Sequence, residues 1–270
     1  MLKKAFLTLL ALLLILTVAA CKKDEDPPSG GGGGGGDDIT DTTPPANSDP
    51  VLSKSGELEG TDIVWEVYSD HTMYVKCKGT HAQGEPCALR DFVRLQGVEN
   101  KTDQPWWENG GKSATDRPTD GGATTVTKLV IGEGITALGD YAFMDMRLLE
   151  EVVLPSTLKE ISYHSFFGCP KLKAVKGGFG VTLIDSGAFA SCTDLETVEL
   201  STALTEVAES AFSDVIASGS NKKLTLKVKG TAAAWEAALE TMRNTKNQWD
   251  SPCLGAGNAA FENATVEYVS

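Results

Sequence analysis

The sequence predicts a solenoid of stacked coils. A short parallel β-sheet should line its concave side, with turns or short helices on the other. A β-hairpin cap is expected at the N-terminal end and a helix-containing cap at the C-terminal end. Three observations predict this. Phe143, Phe166, Phe189 and Phe212 are each 23 residues from the next, and a period of roughly 20–30 residues marks stacked repeats. The small residues Ala142, Ser165, Ala188 and Ala211 precede those Phe residues in the same register. Apolar strand-like triplets return in the same frame: Val152 and Leu154, Val175 and Gly177, Val198 and Leu200, after an earlier half-unit of Val126, Leu129 and Ile131.

In chain order, residues 1–20 read as a signal peptide. Lys3 and Lys4 precede an apolar run from Ala5 to Val18 that ends in Ala19-Ala20-Cys21, a run too short for a spanning helix. The Val-Ala-Ala-Cys ending resembles the lipobox of bacterial lipoproteins, which implies cleavage before Cys21 and its lipidation. The alternative is an ordinary signal peptide cut nearby, with Cys21 incidental. Residues 21–50 have no apolar periodicity and include seven consecutive glycines. Such a segment buries too little to offset its ordering entropy and acts as a flexible tether, reaching about 30 Å from ~5–6 Å × √n. Lys22-Lys23-Asp24-Glu25-Asp26 resembles the Bacteroidetes-type signal that exports lipoproteins to the outer face of the outer membrane; a merely solvated linker is the alternative. Asp41-Thr42-Thr43 resembles an O-glycosylation acceptor of the same bacterial group.

The formal net charge is −13, or −15 once Lys3 and Lys4 are removed. Nucleic acid and anionic bilayer surfaces repel such a chain. Acyl chains on Cys21 are therefore its expected attachment to the outer membrane.

Residues 51–125 form the expected N-terminal cap. Ile63, Trp65 and Val67 alternate with Val64, Glu66 and Tyr68, Ser69 to Thr72 turn, and Met73 to Cys77 return, the pattern of a β-hairpin. Cys77 and Cys87 are placed to bridge around it, which an extracytoplasmic location permits. Residues 99–124 read as a loop over the first coil. Within it, Trp106 and Trp107 have two readings: a plug for the open end of the solenoid, or an exposed platform for stacking sugars.

Residues 126–223 carry the repeats. Leu138, Ile161, Ile184 and Val207 stand five before each Phe, and Ile135, Leu158, Val181 and Leu204 three before those. Past each Phe come Met146, Cys169, Cys192 and Val215, then Leu149, Leu172 and Leu195. Each Leu-x-x-Val-x-Leu reads as a strand with its apolar residues inward. The small-Phe-x-x-Cys stretch then returns on the opposite wall as a tight helical turn. Phe fills its own coil and stacks on the next, while Ala or Ser leaves room for the neighbouring backbone. A single coil buries too little to stand alone and relies on its neighbours.

The pattern Leu-x-x-Val-x-Leu-Pro-x-x-Leu-x-x-Ile-x-x-x-Ala-Phe-x-x-Cys resembles the BspA-like leucine-rich-repeat family of bacterial surface proteins. It is carried over roughly 126–215, and it implies a leucine-rich-repeat solenoid displayed at the cell surface. The hairpin with QPWW resembles the segment that precedes such repeats, and LTLKVKGTAAAWEAAL their closing strand and helix. Only Leu154 is followed by Pro, and Gly177-Gly178 replaces Leu-Pro in the third unit, so that strand is expected to be kinked or widened.

Residues 224–270 form the expected C-terminal cap, after an insertion from Ile216 to Lys223. Leu224, Leu226 and Val228 alternate as a strand. Trp235, Ala238, Leu239 and Met242 fall at helical spacing, and Ala264 to Val269 read as a final strand.

Catalytic constellations are missing from the sequence. His71, His81 and His164 are its only histidines, and no Gly-x-Ser-x-Gly elbow, His-Glu-x-x-His helix or phosphate loop occurs. His164 and Cys169 form the nearest Cys–His pair, but Cys169 shares its repeat position with Met146, Cys192 and Val215 and reads as a structural thiol. His71, Cys77, His81 and Cys87 match no common zinc spacing. No enzyme activity, metal or cofactor is expected.

A binding role fits better. The concave sheet should expose Lys128 and Val130, Glu151 and Val153, Ala174 and Lys176, Thr197 and Glu199. Five strands at ~4.8 Å by four residues at ~3.3 Å give about 300 Å², enough for a peptide or a short glycan. A stable protein complex uses about 800 Å² per partner. No aromatic residue is expected on that face. The reading is a lipid-anchored, surface-exposed binding or adhesion protein for an extracellular protein or peptide. The resemblance implies ligands among host or bacterial surface proteins. The alternatives are an accessory glycan-binding lipoprotein and a structural surface component with no dedicated ligand.

Overall fold

A computed structural model describes residues 49–78, 87–89, 105–106, 125–216 and 222–270. In chain order the strands are β1 (Leu52–Glu57), β2 (Ile63–Tyr68), β3 (Thr72–Cys77), β4 (Cys87–Ala88), β5 (Lys128–Ile131), β6 (Ile135–Ala137), β7 (Glu151–Leu154), β8 (Glu160–Ile161), β9 (Ala174–Gly177), β10 (Leu183–Ile184), β11 (Thr197–Ser201), β12 (Glu206–Val207) and β13 (Thr225–Lys229). Helices α1 (Ala232–Asn244) and α2 (Ala259–Glu262) follow, then β14 (Thr265–Val269).

Among the described residues the strands form two sheets. The larger runs β1-β2-β3-β5-β7-β9-β11-β13-β14 and the smaller β12-β10-β8-β6-β4. The β1–β2 and β2–β3 pairs are antiparallel; every pair from β3 through β14 is parallel. Glu151 pairs with Ala174, and Leu183 with both Glu160 and Glu206, so both sheets keep the 23-residue step. The step lengthens where Thr197 pairs with Thr225, which accommodates the insertion after Ile216. Hairpin strand β3 adds directly to β5, and the last strand, β14, finds its partner in β13.

Each coil thus contributes one strand to each sheet and then reverses. Short helices are one of the two forms expected on that wall, and the described residues form turns there. The reason is backbone geometry: Tyr141, His164, Gly187 and Ser210 have φ of 58°, 52°, 63° and 57°, and Asp145, Gly168, Ser191 and Asp214 have 60°, 70°, 61° and 52°. Left-handed residues interrupt a right-handed helix. The backbone groups are satisfied between coils instead. Phe143 N–H donates to the Ser165 carbonyl at 2.8 Å, Phe166 to Ala188 at 2.9 Å, and Phe189 to Ala211 at 2.8 Å. From Ser165 onward, the carbonyl of the small residue before each Phe thus accepts from the Phe N–H of the preceding coil.

The core lies between the two sheets. Phe143, Phe166, Phe189 and Phe212 are stacked at centroid spacings of 5.5, 5.5 and 5.3 Å and are fully buried. Such pairs contribute about 0.5–1.5 kcal/mol each beyond their burial. Trp106 extends the column at one end, 5.2 Å from Phe143. Phe261 of α2 extends it at the other, 5.2 Å from Phe212, with Trp235 of α1 packed edge-on against it. Thr231 caps α1, its hydroxyl accepting from Ala234 N–H at 3.2 Å. Trp235 and Met242 bury the inner stripe of this helix.

Candidate binding face

Side chains alternate across a strand, so the larger sheet buries one set and exposes the other. Leu129, Ile131, Val152, Leu154, Val175, Val198, Leu200, Leu226 and Val228 point into the core. The register then sorts the outward residues into two rows. In one, Lys128, Glu151, Ala174 and Thr197 are neighbours. In the other, Glu66, Tyr74, Val130, Val153 and Lys176 follow one another across β2, β3, β5, β7 and β9.

Two features of this face escape the sequence reading. The face runs along nine described strands rather than five, giving ~700 Å² from about five residues at ~3.3 Å by nine strands at ~4.8 Å. It also carries aromatic residues, because β3 joins the sheet. Tyr68 and Tyr74 meet edge-to-face at 5.5 Å, and Lys76 Nζ lies 5.0 Å from the Tyr74 ring centroid. Glu66 holds the group together, accepting from Lys76 Nζ at 2.6 Å and from the Tyr68 hydroxyl at 3.0 Å. The hydrogen bond from Lys76, and then that from Tyr68, lower the Glu66 pKa against the opposing effect of burial.

Glu151 stands between two lysines, 3.0 Å from Lys128 Nζ and 2.5 Å from Lys176 Nζ. Lys176, ahead of Lys128, holds its carboxyl below the usual glutamate range, with burial acting the other way. Glu199 is used differently. Gly177 and Gly178 have φ of 76° and 68°, and the β9–β11 ladder keeps only the Ala174–Thr197 and Val175–Val198 pairs. The Glu199 carboxylate replaces the missing partner by accepting from Gly177 N–H at 2.7 Å. Outside the strand, Phe179 packs beneath Lys229, whose Nζ is 5.3 Å from the ring centroid.

Trp106 does not form an exposed platform. It is 5 % exposed, stacked on Phe143, and its Nε1–H donates to the Ala142 carbonyl at 3.1 Å. Stacking on the first Phe of the column buries both ring and donor, leaving no face for a sugar. Trp107, His81 and Cys21 lie outside the described residues. Among the described tryptophans it is Trp249 that is exposed, at 78 %. It sits in a turn tied by Asn247, whose Oδ1 accepts from Trp249 N–H at 2.9 Å and whose Nδ2 donates to Glu206 at 2.7 Å.

Cys77 and Cys87 form a disulfide with a Cα–Cα distance of 6.4 Å, joining β3 of the larger sheet to β4 of the smaller. Cys169 and Cys192 are buried free thiols that donate to the Phe143 and Phe166 carbonyls at 3.3 and 3.2 Å. Burial first, and then the neighbouring Cys192, push the Cys169 pKa up, the opposite of an activated nucleophile. His164 packs between Tyr163 and Phe167, with ring centroids at 3.9 and 4.8 Å. Among the described residues no group of three or more His, Cys, Asp or Glu could hold a metal ion. No helix among them is long and apolar enough to cross a membrane.

Residues 122–227 match the family described as the BspA type leucine rich repeat region, in six copies. These coils are leucine-rich repeats of the BspA type. No curated protein matches the chain. Among solved structures, the chain is similar to a leucine rich cell surface protein from Faecalibacterium prausnitzii A2-165, with 20% identity and a TM-score of 0.40. The match covers 68% of this chain and 42% of that one, so the chain spans about two fifths of that protein's length. A leucine rich repeat protein of T. pallidum is 15% identical with a TM-score of 0.30, covering 71% of this chain and 98% of that one. One from Bacteroides ovatus is 10% identical with a TM-score of 0.20, covering 83% and 71%.

Proposed function

We propose that this is a lipid-anchored cell-surface binding protein, which presents the outward face of its larger sheet to an extracellular protein or peptide. The observation that supports this reading most is the unbroken apolar row Tyr74, Val130 and Val153 on the solvent side of a sheet whose inner side is already filled. A solvated face with no ligand gains nothing from such a row. At ~700 Å² the face approaches the ~800 Å² per partner of a stable complex. In this reading Cys21 carries the acyl chains, residues 22–50 tether the repeats to the outer membrane, and the hairpin and the α1–β14 segment close the two ends of the stack.

Arrays of host glycoproteins, bacterial surface proteins and polysaccharides test the reading. Probing them with the mature chain and with Val153→Asp should give protein spots that the variant loses at unchanged melting temperature. Equal capture by the variant would move the site off this face. Binding confined to polysaccharides would favour the glycan alternative, which Trp106 no longer supports. For the anchor, labelled fatty acid should enter the wild-type chain and not Cys21→Ser.

A further inference from the structure

Two properties of the face specify its ligand more closely. The first is spacing. Tyr74, Val130, Val153 and Lys176 are neighbours on successive strands, so the row from Tyr74 to Lys176 covers three steps of ~4.8 Å, about 14 Å. An extended peptide repeats its same-side residues every ~6.7 Å, so positions i to i+4 span about 13 Å. A peptide crossing the strands sets residues i and i+2 over the apolar row and residue i+4 beside Lys176.

The second property is charge. On β5, β7 and β9, the repeat strands under the row, the outward positions carry Lys128 and Lys176 against Glu151, an excess of one lysine. This lies on a chain of net charge −13. Lys128 and Lys176 share the single carboxylate of Glu151, and both remain about half exposed. Glu199, the other nearby acid, is turned to Gly177 N–H. Fields are screened beyond about 8 Å at physiological salt, so these residues govern the site more than the net charge does.

We infer that the face takes an extended peptide in which two apolar residues and one carboxylate occupy alternate positions, the carboxylate seated beside Lys176 at the end of the row. The inference rests on the binding role proposed for this face and adds the chemistry of the partner. A basic residue at i+4 would meet the Lys176 ammonium and be disfavoured.

Fluorescently labelled synthetic peptides with a Leu-Ser-Leu-Ser-Glu core, and the same peptides with Lys in place of Glu, test this against the mature chain carrying Cys21→Ser. At low salt the acidic peptide should bind about tenfold more tightly than the basic one, from the weak exposed ion pairs gained and the repulsions avoided. The preference should shrink as salt rises. It should vanish in Lys128→Gln/Lys176→Gln, while Val153→Asp abolishes binding of both peptides. Equal binding of the two peptides, a preference for the basic one, or binding of neither overturns the inference. Array capture that still depends on Val153 would then show that the broader reading survives it.

Discussion

In the aromatic column the same residue returns at every step from Phe143 to Phe212, whereas equivalent positions on the sheet face change from Val130 and Val153 to Lys176 and Glu199. Both regions hang on one backbone frame. The column is closed on all sides by neighbouring coils, so one shape fits and packing dictates it. The face meets water, so packing leaves its residues free to differ. Repetition therefore marks what stacking requires, and departures from it mark what stacking leaves open to recognition.

Substitutions can break this contrast, beginning inside the column. Phe166→Ala removes a ring stacked on both sides and should cost about 3–5 kcal/mol, read as a fall in the urea midpoint. A loss below 1 kcal/mol would mean the rings do not support one another. Gly177→Ala comes next, since a Cβ there would lie 2.3 Å from the Leu154 carbonyl oxygen at a φ of 76°. The left-handed conformation alone costs Ala about 1–2 kcal/mol, and a thermal melt measures the sum. On the face, Val153→Asp should change stability by less than about 0.5 kcal/mol while removing ligand capture.

Smallest is the acid response of Glu151. Its lowered pKa stabilises the fold above the ordinary glutamate range, and that contribution is lost as pH falls through the lowered value. The difference in urea midpoint between wild type and Glu151→Gln should be present at neutral pH and disappear in acid. As an exposed pair it is worth at most about 1 kcal/mol. A difference that persists in acid would assign the effect to packing.

The stack was legible because identity and spacing coincide: Phe, the small residue before it and the strand triplet all recur at 23. The ends were less so: Trp106 was legible as a plug only beside a second reading, and Phe261 not at all, because they stand 37 and 49 residues from the nearest Phe of the column, outside the frame. Tyr74 on the face was hidden for a similar reason. Its neighbour Val130 is 56 residues away, and only the pairing of β3 with β5 reveals that the two share a side. The role of Glu199 was hidden by the kink at Gly177: the glycines predict an irregular strand but not which acceptor completes it.

The rings that finish the column, Trp106 and Phe261, both come from outside the repeats. Length is therefore a free variable of this design. Splicing in another 23-residue unit beside Phe189 would separate the two terminal plugs by a further ~4.8 Å without exposing a new seam. The molecule behaves as a ruler, whose length can be set by counting coils.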